Sequence, residues 1–591
     1  MCTQHKNIWL LALISGLLMS LPWLVPGTGL VALFAFVPLL FADSLAQECG
    51  MRRFRYVHYS SFVLWNALTT WWVWNATAGG AIFAILANAL QMSLVFGLFR
   101  LSRKLFDRQR ASGGRIAAAS EALPYIFLVT AWIAWERWYL VHAQISWPWL
   151  VLGNAFARTT QLAQWYEYTG SLGGSLWIWA CNIGLFALLK AYICGWKASE
   201  KGSFLSRNRR WIASTAVALL VLLPIAVSAH LYHSWKPGEE SIDALIVQPN
   251  IDPYHKFRAM SQKQQDAILL SQADSALTEL SGRGLDSTSC QECCSAMDFG
   301  SEGLLIVAPE TFTNDVILPS VENGASFRSF KSFLASWPGA NLLFGASSYE
   351  FYEGYNPPSL LWRELDRQFW RLGHNSAIVM DASGRYDLYH KSKLVVGVEA
   401  TPYPRLFIPI DNMLGGVMGR LSGQGKADVL HYRGGVGGSI HGDGAKAGKS
   451  EAQTVPFGCA VCYESVYGEF CTDYVRKGAR FMTVITNDAW WGDTPGYKQH
   501  LAYSALRAIE LRRDLARCGN TGISAFINSR GDIVSHSDWW VRETLSGSIT
   551  LNDRQTLFVR LGDAVGRICT FIFLLLAALL LYSFIQSFKK G

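Results

Sequence analysis

Apolar residues gather in long unbroken runs at the two ends of the chain and in short, interrupted runs between them. An α-helix needs about 20 apolar residues to cross the hydrocarbon core of a bilayer. Eight runs approach that length, at 8–25, 28–45, 57–77, 81–101, 121–140, 170–194, 211–231 and 568–587. The second is short and holds Pro38, which makes it the weakest. The first is too hydrophobic, and too closely followed by another, to be a cleaved signal peptide. Trp71, Trp72 and Trp74, and again Trp135, Trp138 and Tyr139, stand near run ends. Such rings settle at the membrane–water interface. Eight core helices of a water-soluble protein are the competing explanation, and the scarcity of charges within the runs weighs against it.

The pattern changes between the seventh and eighth runs. Short apolar, β-branched segments bounded by turn residues recur at 242–248, 304–308, 342–346, 377–381, 456–461 and 480–486, which predicts strands. Helix-length amphipathic stretches lie at 258–280, 325–335, 464–477 and 497–517. A further pair, 523–528 and 532–535, is joined by Ser529-Arg530-Gly531 and predicts a hairpin. Strands alternating with helices predict an α/β domain whose sheets are covered by helices. The Gly-rich stretch 421–450 reads as a mobile loop or insertion. The expected division is a seven-span region at 1–235, a folded domain at 236–566, and a last span with a short tail at 567–591.

Composition sharpens this picture. Of 591 residues, 51% are hydrophobic and only 16% charged, against roughly 25% charged in soluble domains, which excludes a largely disordered chain or a small disulfide scaffold. The net charge of +8 suggests a nucleic-acid surface until it is located. Residues 1–235 hold 18 Lys and Arg against seven Asp and Glu, whereas 236–566 hold 31 against 37. The cations before 236 fall almost entirely on one alternating set of connections. Arg158 stands alone on the other set, with Arg137 close to a run end. The excess of cations in cytoplasmic loops then predicts both termini in the cytoplasm and 236–566 outside it. The charge therefore marks membrane orientation and gives no support to a nucleic-acid partner.

Three reactive side chains follow apolar strands in this domain. Glu310 comes after Leu304-Leu305-Ile306-Val307-Ala308-Pro309, where a carboxylate at a sheet edge can serve as a general base; a solvated loop glutamate is the alternative. Lys391, in Tyr389-His390-Lys391-Ser392-Lys393, can hold a thiolate or a developing oxyanion, or simply face water. Cys462 ends the run Val455-Pro456-Phe457-Gly458-Cys459-Ala460-Val461 where a helix is expected to begin, and a helix amino terminus favours the thiolate. A structural thiol, or a disulfide to Cys459 or Cys471, competes with that role. Cys290, Cys293 and Cys294 have no nearby histidine to complete a metal set and read as a disulfide or a variable loop.

Glu, Lys and Cys in that order at strand ends of one α/β domain resemble the carbon–nitrogen hydrolase (nitrilase) superfamily. With seven spans before the domain and one after, the chain resembles that superfamily's membrane-embedded branch. The resemblance includes Trp147-Pro148-Trp149-Leu150, Tyr166-Glu167-Tyr168-Thr169-Gly170, Gln248-Pro249-Asn250, Cys462-Tyr463-Glu464, Asn487-Asp488-Ala489-Trp490-Trp491-Gly492 and Arg507-Ala508-Ile509-Glu510. It departs from the family at Leu394-Val395-Val396-Gly397-Val398-Glu399, where Glu399 keeps its place but a Pro-Phe-Gly is lost, and at Phe257, which stands where a tryptophan is common. The resemblance implies a polytopic helical membrane domain bearing an extracytoplasmic αββα sandwich. It implies a catalytic Glu310, Lys391 and Cys462 supported by Glu399, Tyr463, Glu464 and Phe257, with neither metal nor cofactor. The implied reaction moves an acyl chain from a phospholipid, through a thioester on the cysteine, to the amino-terminal amine of a diacylglyceryl-modified lipoprotein. The implied setting is the bacterial inner membrane, as a monomer with its catalytic domain in the periplasm and no nucleic-acid partner. The stretches 351–370 and 403–418 offer lipid-facing arms or ordinary loop packing. A membrane-tethered amidase, a transporter and a non-catalytic binding module are the rival readings.

Overall fold

The computed structural model describes residues 2–111, 121–193, 204–256, 259–283, 303–438 and 452–589. Phe257, the cysteines at 290, 293 and 294, and residues 439–450 of the Gly-rich stretch lie outside the described residues. The chain divides into two units, Met1–Ser234 with Leu561–Gly591, and Trp235–Arg560.

The first unit is helical. Six of its described helical stretches are long and apolar enough to cross a membrane: Gln4–Leu24, Gly29–Glu48, Ala78–Asp107, Tyr166–Ile193, Arg210–Ser234 and Ala564–Tyr582. The runs at 57–77 and 121–140 are helical too, as Phe54–Thr70 and Leu123–Val141, the first closing in a 3-10 turn at Trp71–Asn75. The weakness seen at Pro38 is a break: a 3-10 turn, Gly29–Leu33, gives way to a helix beginning at Val37. Proline fits in that helix's first turn because no intrahelical partner awaits its missing N–H. Polar side chains inside this unit serve its backbone. Asn182 Nδ2 donates to the carbonyls of Ala32 and Ile178, each at 2.8 Å, and its Oδ1 accepts from Phe36 N–H at 2.7 Å. Glu136 accepts from Trp132 Nε1 at 3.0 Å and from Leu152 N–H at 2.9 Å. Gly153, in the turn Leu152–Phe156, has no alternative, since a Cβ there would lie 1.8 Å from the Ser171 carbonyl oxygen.

The second unit has four layers. One sheet runs, strand by strand, Glu543–Thr550, Glu240–Gln248, Leu304–Val307, Ala340–Glu353, Phe369–Asp381, Arg363–Asp366, with Thr313–Ile317, Tyr386–His390 and Gly437–Gly438 paired at its sides. The other runs Ile533–His536, Ala525–Ile527, Leu515–Gly519, Met482–Thr486, Ala452–Val461, Val429–Gly435. Period-two alternation assigns the faces. Ile242, Ala244 and Ile246 share a core with Phe457, Met482 and Val484 of the other sheet, while Leu245 and Val247 pack with Leu269, Ala273 and Leu277 of the helix Gln262–Arg283. Ala325–Leu334 joins that outer layer through Phe327, Phe330 and Leu334. The helices Gly468–Arg476 and Pro495–Leu511 pack through Tyr474, Val475, Leu501 and Ala508 into the core that holds the second sheet.

Two expectations need correction. The helix expected over 497–517 stops at Leu511: Arg512 is left-handed at φ 50°, and Leu515–Gly519 is a central strand. Charged Arg513 and Arg517 hid the strand because buried strands usually read as continuous apolar runs. The Gly-rich stretch read as a mobile loop contains the strand Val429–Gly435, which pairs antiparallel with Ala452–Gly458. Gly434 and Gly435 weakened its signal, yet Leu430 and Tyr432 are fully buried.

Candidate active site

Three expected residues meet where strands of both sheets end. Glu310 follows the strand Leu304–Val307 by three residues; the next residue, Thr311, is left-handed at φ 45°. Gly345 makes room for this turn, since a Cβ there would lie 2.5 Å from Glu310 Cα. Lys391 follows the strand Tyr386–His390 and is 1% exposed. Its Nζ lies 3.0 Å from Glu310 Oε1 and 3.0 Å from Glu399. Burial alone would lower the pKa of this ammonium, but the carboxylates of Glu310 and Glu399 hold it well above the ordinary lysine value. Lys391 is therefore a fixed cation.

Cys462 follows the strand Ala452–Val461, is 9% exposed and stands in the left-handed region at φ 53°. A non-glycine residue there costs on the order of 1–3 kcal/mol and persists only where its surroundings enforce it. The expected gain of thiolate from a helix terminus is not found. Burial first, then the Glu310 carboxylate, pushes the Cys462 thiol well above its ordinary range, against a smaller opposing pull from Lys391. The element that begins at Cys462 is a five-residue 3-10 turn, Cys462–Val466, and the α-helix starts later, at Gly468. A thiol in this state is neutral until a base takes its proton, and Glu310 supplies the nearby carboxylate. Cys459, Cys462, Cys471 and Cys518 are all free, so the disulfides weighed for Cys462 do not form.

Glu399, Glu464 and Tyr463 are placed around this centre. Glu399 joins Lys391 and accepts from Val395 N–H at 2.7 Å, which closes its own loop. Glu464 is fully buried. It accepts from Val461 N–H at 2.9 Å and, across the interface between sheets, from Tyr389 O–H at 2.7 Å, Ser392 N–H at 2.6 Å and Lys393 N–H at 3.1 Å. One carboxylate thus ties the turn that begins at Cys462 to the segment carrying Lys391, and burial raises its pKa despite these donors. Tyr463 is buried with its ring edge-on to Tyr467 at 5.3 Å.

Other residues went unnoticed in sequence. Asn375 Nδ2 donates to Glu310 at 2.7 Å and to Glu399 at 2.8 Å, so one amide spaces both carboxylates. Lys256 Nζ donates to the Thr311 carbonyl at 2.5 Å, and burial pushes it down to about 8 against the pull of Glu310. Asp488 and His500 sit behind Cys462, and their ligand atoms lie within 4.8 Å of its sulfur and of one another. The three are a metal-ligand set by type. Arg517 Nη2, however, is 2.5 Å from Asp488, and a cation would face that guanidinium. Arg517 and His500 hold the Asp488 carboxyl down to about 2 although burial opposes them. In the sequence Asp488 stands only within the Asn487–Gly492 run that carries the family resemblance, with no role given to it, and nothing local marked His500.

The arrangement brings together a buried thiol, a carboxylate and a fixed ammonium. The sequence profile of the carbon–nitrogen hydrolase family matches residues 363–557, which include Lys391, Glu399 and Cys462 but not Glu310. The profile described as the apolipoprotein N-acyltransferase N-terminal domain matches residues 15–184. The chain is 27% identical over 588 residues to the apolipoprotein N-acyltransferase of Chlorobaculum tepidum, covering 95% of this chain and 94% of that one. It is 26% identical over 575 residues to the protein of the same name from Geobacter metallireducens, covering 95% and 93%. Among solved structures, a nitrilase-superfamily protein of Saccharomyces cerevisiae covers 56% of this chain and 97% of its own at 13% identity and a TM-score of 0.33.

Proposed function

We infer the reaction from one premise: the chain belongs to the apolipoprotein N-acyltransferase family, membrane-embedded relatives of the carbon–nitrogen hydrolases. It is an acyltransferase that moves an acyl chain from a phospholipid to the α-amine of the lipid-modified amino-terminal cysteine of a lipoprotein. The observation that carries this reading is Lys391, fixed between Glu310 and Glu399 beside the neutral thiol of Cys462.

In the first half-reaction Glu310 takes the Cys462 proton as Sγ attacks the ester carbonyl of the phospholipid. Lys391, with backbone N–H groups of the turn that begins at Cys462, stabilises the oxyanion. The C–O bond then breaks, and the departing glyceryl oxygen takes the proton from Glu310. A thioester and a lysophospholipid result. In the second, the lipoprotein amine attacks the thioester carbonyl. An α-amine with a pKa near 7.7–8.0 is partly neutral around pH 7. Glu310 receives the proton lost from nitrogen, the C–S bond breaks, and the proton returns to sulfur.

Both substrates carry acyl chains, and each buried CH₂ is worth about 0.8 kcal/mol, so an enzyme working in water would have to extract them. The catalytic unit is connected at both ends to apolar helices. It also exposes large apolar side chains on the helix Pro404–Met413 and just beyond, among them Leu406, Met413, Leu414 and Val417, as a lipid substrate requires. The cations on one set of connections support a catalytic unit outside the cytoplasm, on the periplasmic side of a bacterial inner membrane.

The test is purified protein in detergent with acyl-labelled phospholipid, with and without a diacylglyceryl-cysteine peptide. The expected result is label on the peptide amine and lysophospholipid released in proportion to it. Steady lysophospholipid release without any peptide would instead assign a hydrolase, and labelling that survives Cys462→Ala would remove the nucleophile.

A further inference from the structure

The left-handed backbone at Cys462 needs something to hold it, and the residues that do so lie behind the nucleophile. The Cys462 carbonyl accepts from Ser465 Oγ at 2.8 Å and faces His500 Nε2 at 3.1 Å. Nε2 also lies 3.0 Å from Ser465 Oγ; a carbonyl and a carboxylate only accept, so His500 holds the Cys462 carbonyl and Asp488 together with a proton on each ring nitrogen. On its other edge, His500 Nδ1 lies 2.9 Å from Asp488 Oδ1 and 3.1 Å from Arg517 Nη2. Asp488 is itself fixed, by Thr486 Oγ1 at 2.7 Å and by Arg517 at 2.5 Å. Arg517 Nη1 donates on to Ser504 Oγ at 3.1 Å. The side chains of His500, Asp488 and Arg517 are wholly shielded from solvent.

Their placement is non-local. Asp488 starts the turn Asp488–Trp491, His500 comes from the helix Pro495–Leu511, and Arg517 from the strand Leu515–Gly519. Buried ion pairs of this kind add little stability over apolar packing of equal volume, so packing alone does not explain the set. Thr486, whose hydroxyl donates to Asp488, also lies close enough to the Cys462 thiol to influence it.

We propose that His500, oriented by Asp488 and Arg517, is a positioning residue that holds the Cys462 carbonyl through Nε2–H and so aims the sulfur at the acyl carbonyl. It touches no reacting atom. Misplacement of a nucleophile by about 1 Å costs on the order of 100-fold in rate, and that is the loss expected when the contact goes. The inference rests on Cys462 being the nucleophile of the reaction proposed above.

Two amide variants of the full chain separate this role from packing. In His500→Gln the amide nitrogen reaches where Nε2 stood and still donates to the carbonyl. In His500→Asn it reaches only the Nδ1 position, toward Asp488. Both are polar and leave similar space. Single-turnover thioester formation on labelled phospholipid should fall ~100-fold in the Asn variant with KM little changed, and the Gln variant should recover to within ~10-fold of the parent. The rate of iodoacetamide alkylation at Cys462 should show the same order, Gln faster than Asn. Equal losses in the two variants, or losses that track their melting temperatures, would overturn the positioning role. A parent protein that is alkylated at Cys462 but never acylated by phospholipid would sink the proposed reaction instead, and the alkylation order would still decide the part played by His500.

Discussion

The two units of this chain differ in what they bury and what they expose. In the helical unit large apolar side chains face outward: Trp211, Leu219, Leu222 and Leu223 on one helix, Ile568, Phe571 and Leu574 on another. Its interior holds amides such as Asn66, Asn88 and Asn182, which bond to backbone carbonyls or to each other, and an acid, Asp43, paired with Arg100 and Arg103. In the α/β unit several charges are buried in pairs around Cys462: Lys391 with Glu310 and Glu399, Arg517 with Asp488, Arg507 with Glu510. An inward amide in the first unit is an architectural bond in a surrounding without water. An inward charge in the second is retained at a cost in desolvation, and it clusters where chemistry is expected.

This contrast can be broken at several points. Lys391→Met removes a cation from between two buried carboxylates and should have the largest effect. Acyl transfer should fall by about 10²–10³-fold. The α/β unit should also lose about 3–5 kcal/mol, because Glu310 and Glu399 remain buried without their partner. Thermal unfolding and single-turnover labelling of one preparation measure both, and a variant with the parent's stability would show that the pair is less buried than described. Next come matched surface changes, Leu222→Arg and Val534→Arg, at exposed apolar positions of the two units. Arginine at the middle of a membrane helix costs about 3 kcal/mol, whereas on a water-facing strand edge it is worth within about 0.5 kcal/mol. Only the first should reduce the membrane-inserted fraction, and equal tolerance would mean that both surfaces meet water. Smallest is Asn182→Leu, which removes three hydrogen bonds at the break near Pro38. Interhelical polar contacts in membranes average ~0.6 kcal/mol, so a total near 1–2 kcal/mol is expected from unfolding in detergent.

Much of the catalytic unit was legible because its signals are local. The strands expected at 242–248, 304–308 and 456–461 stand within a few residues of Glu240–Gln248, Leu304–Val307 and Ala452–Val461. The last two deliver a carboxylate, Glu310, and a thiol, Cys462, to a sheet edge. The helix over 497–517 ran too far because Arg513 and Arg517 look like solvated residues until Asp488 and backbone carbonyls are seen to satisfy them. Asn375 and His500 could not be read for the same reason. Asn375 acts on Glu310, 65 positions away, and His500 on Cys462, 38 away, and no pattern along the chain encodes a contact at such range. The state of the thiol was misjudged because a helix terminus was assumed where a short turn lies, and burial outweighs it.

The central claim is that Cys462 carries the acyl chain between two lipids. Intact and peptide mass spectrometry of the protein, incubated with phospholipid and no acceptor, tests it most directly. One acyl mass on the peptide containing Cys462, released by hydroxylamine and discharged when a diacylglyceryl-cysteine peptide is added, is the predicted result. An acceptor that becomes N-acylated while Cys462 never carries acyl mass, or while Cys462→Ala stays active, would contradict it.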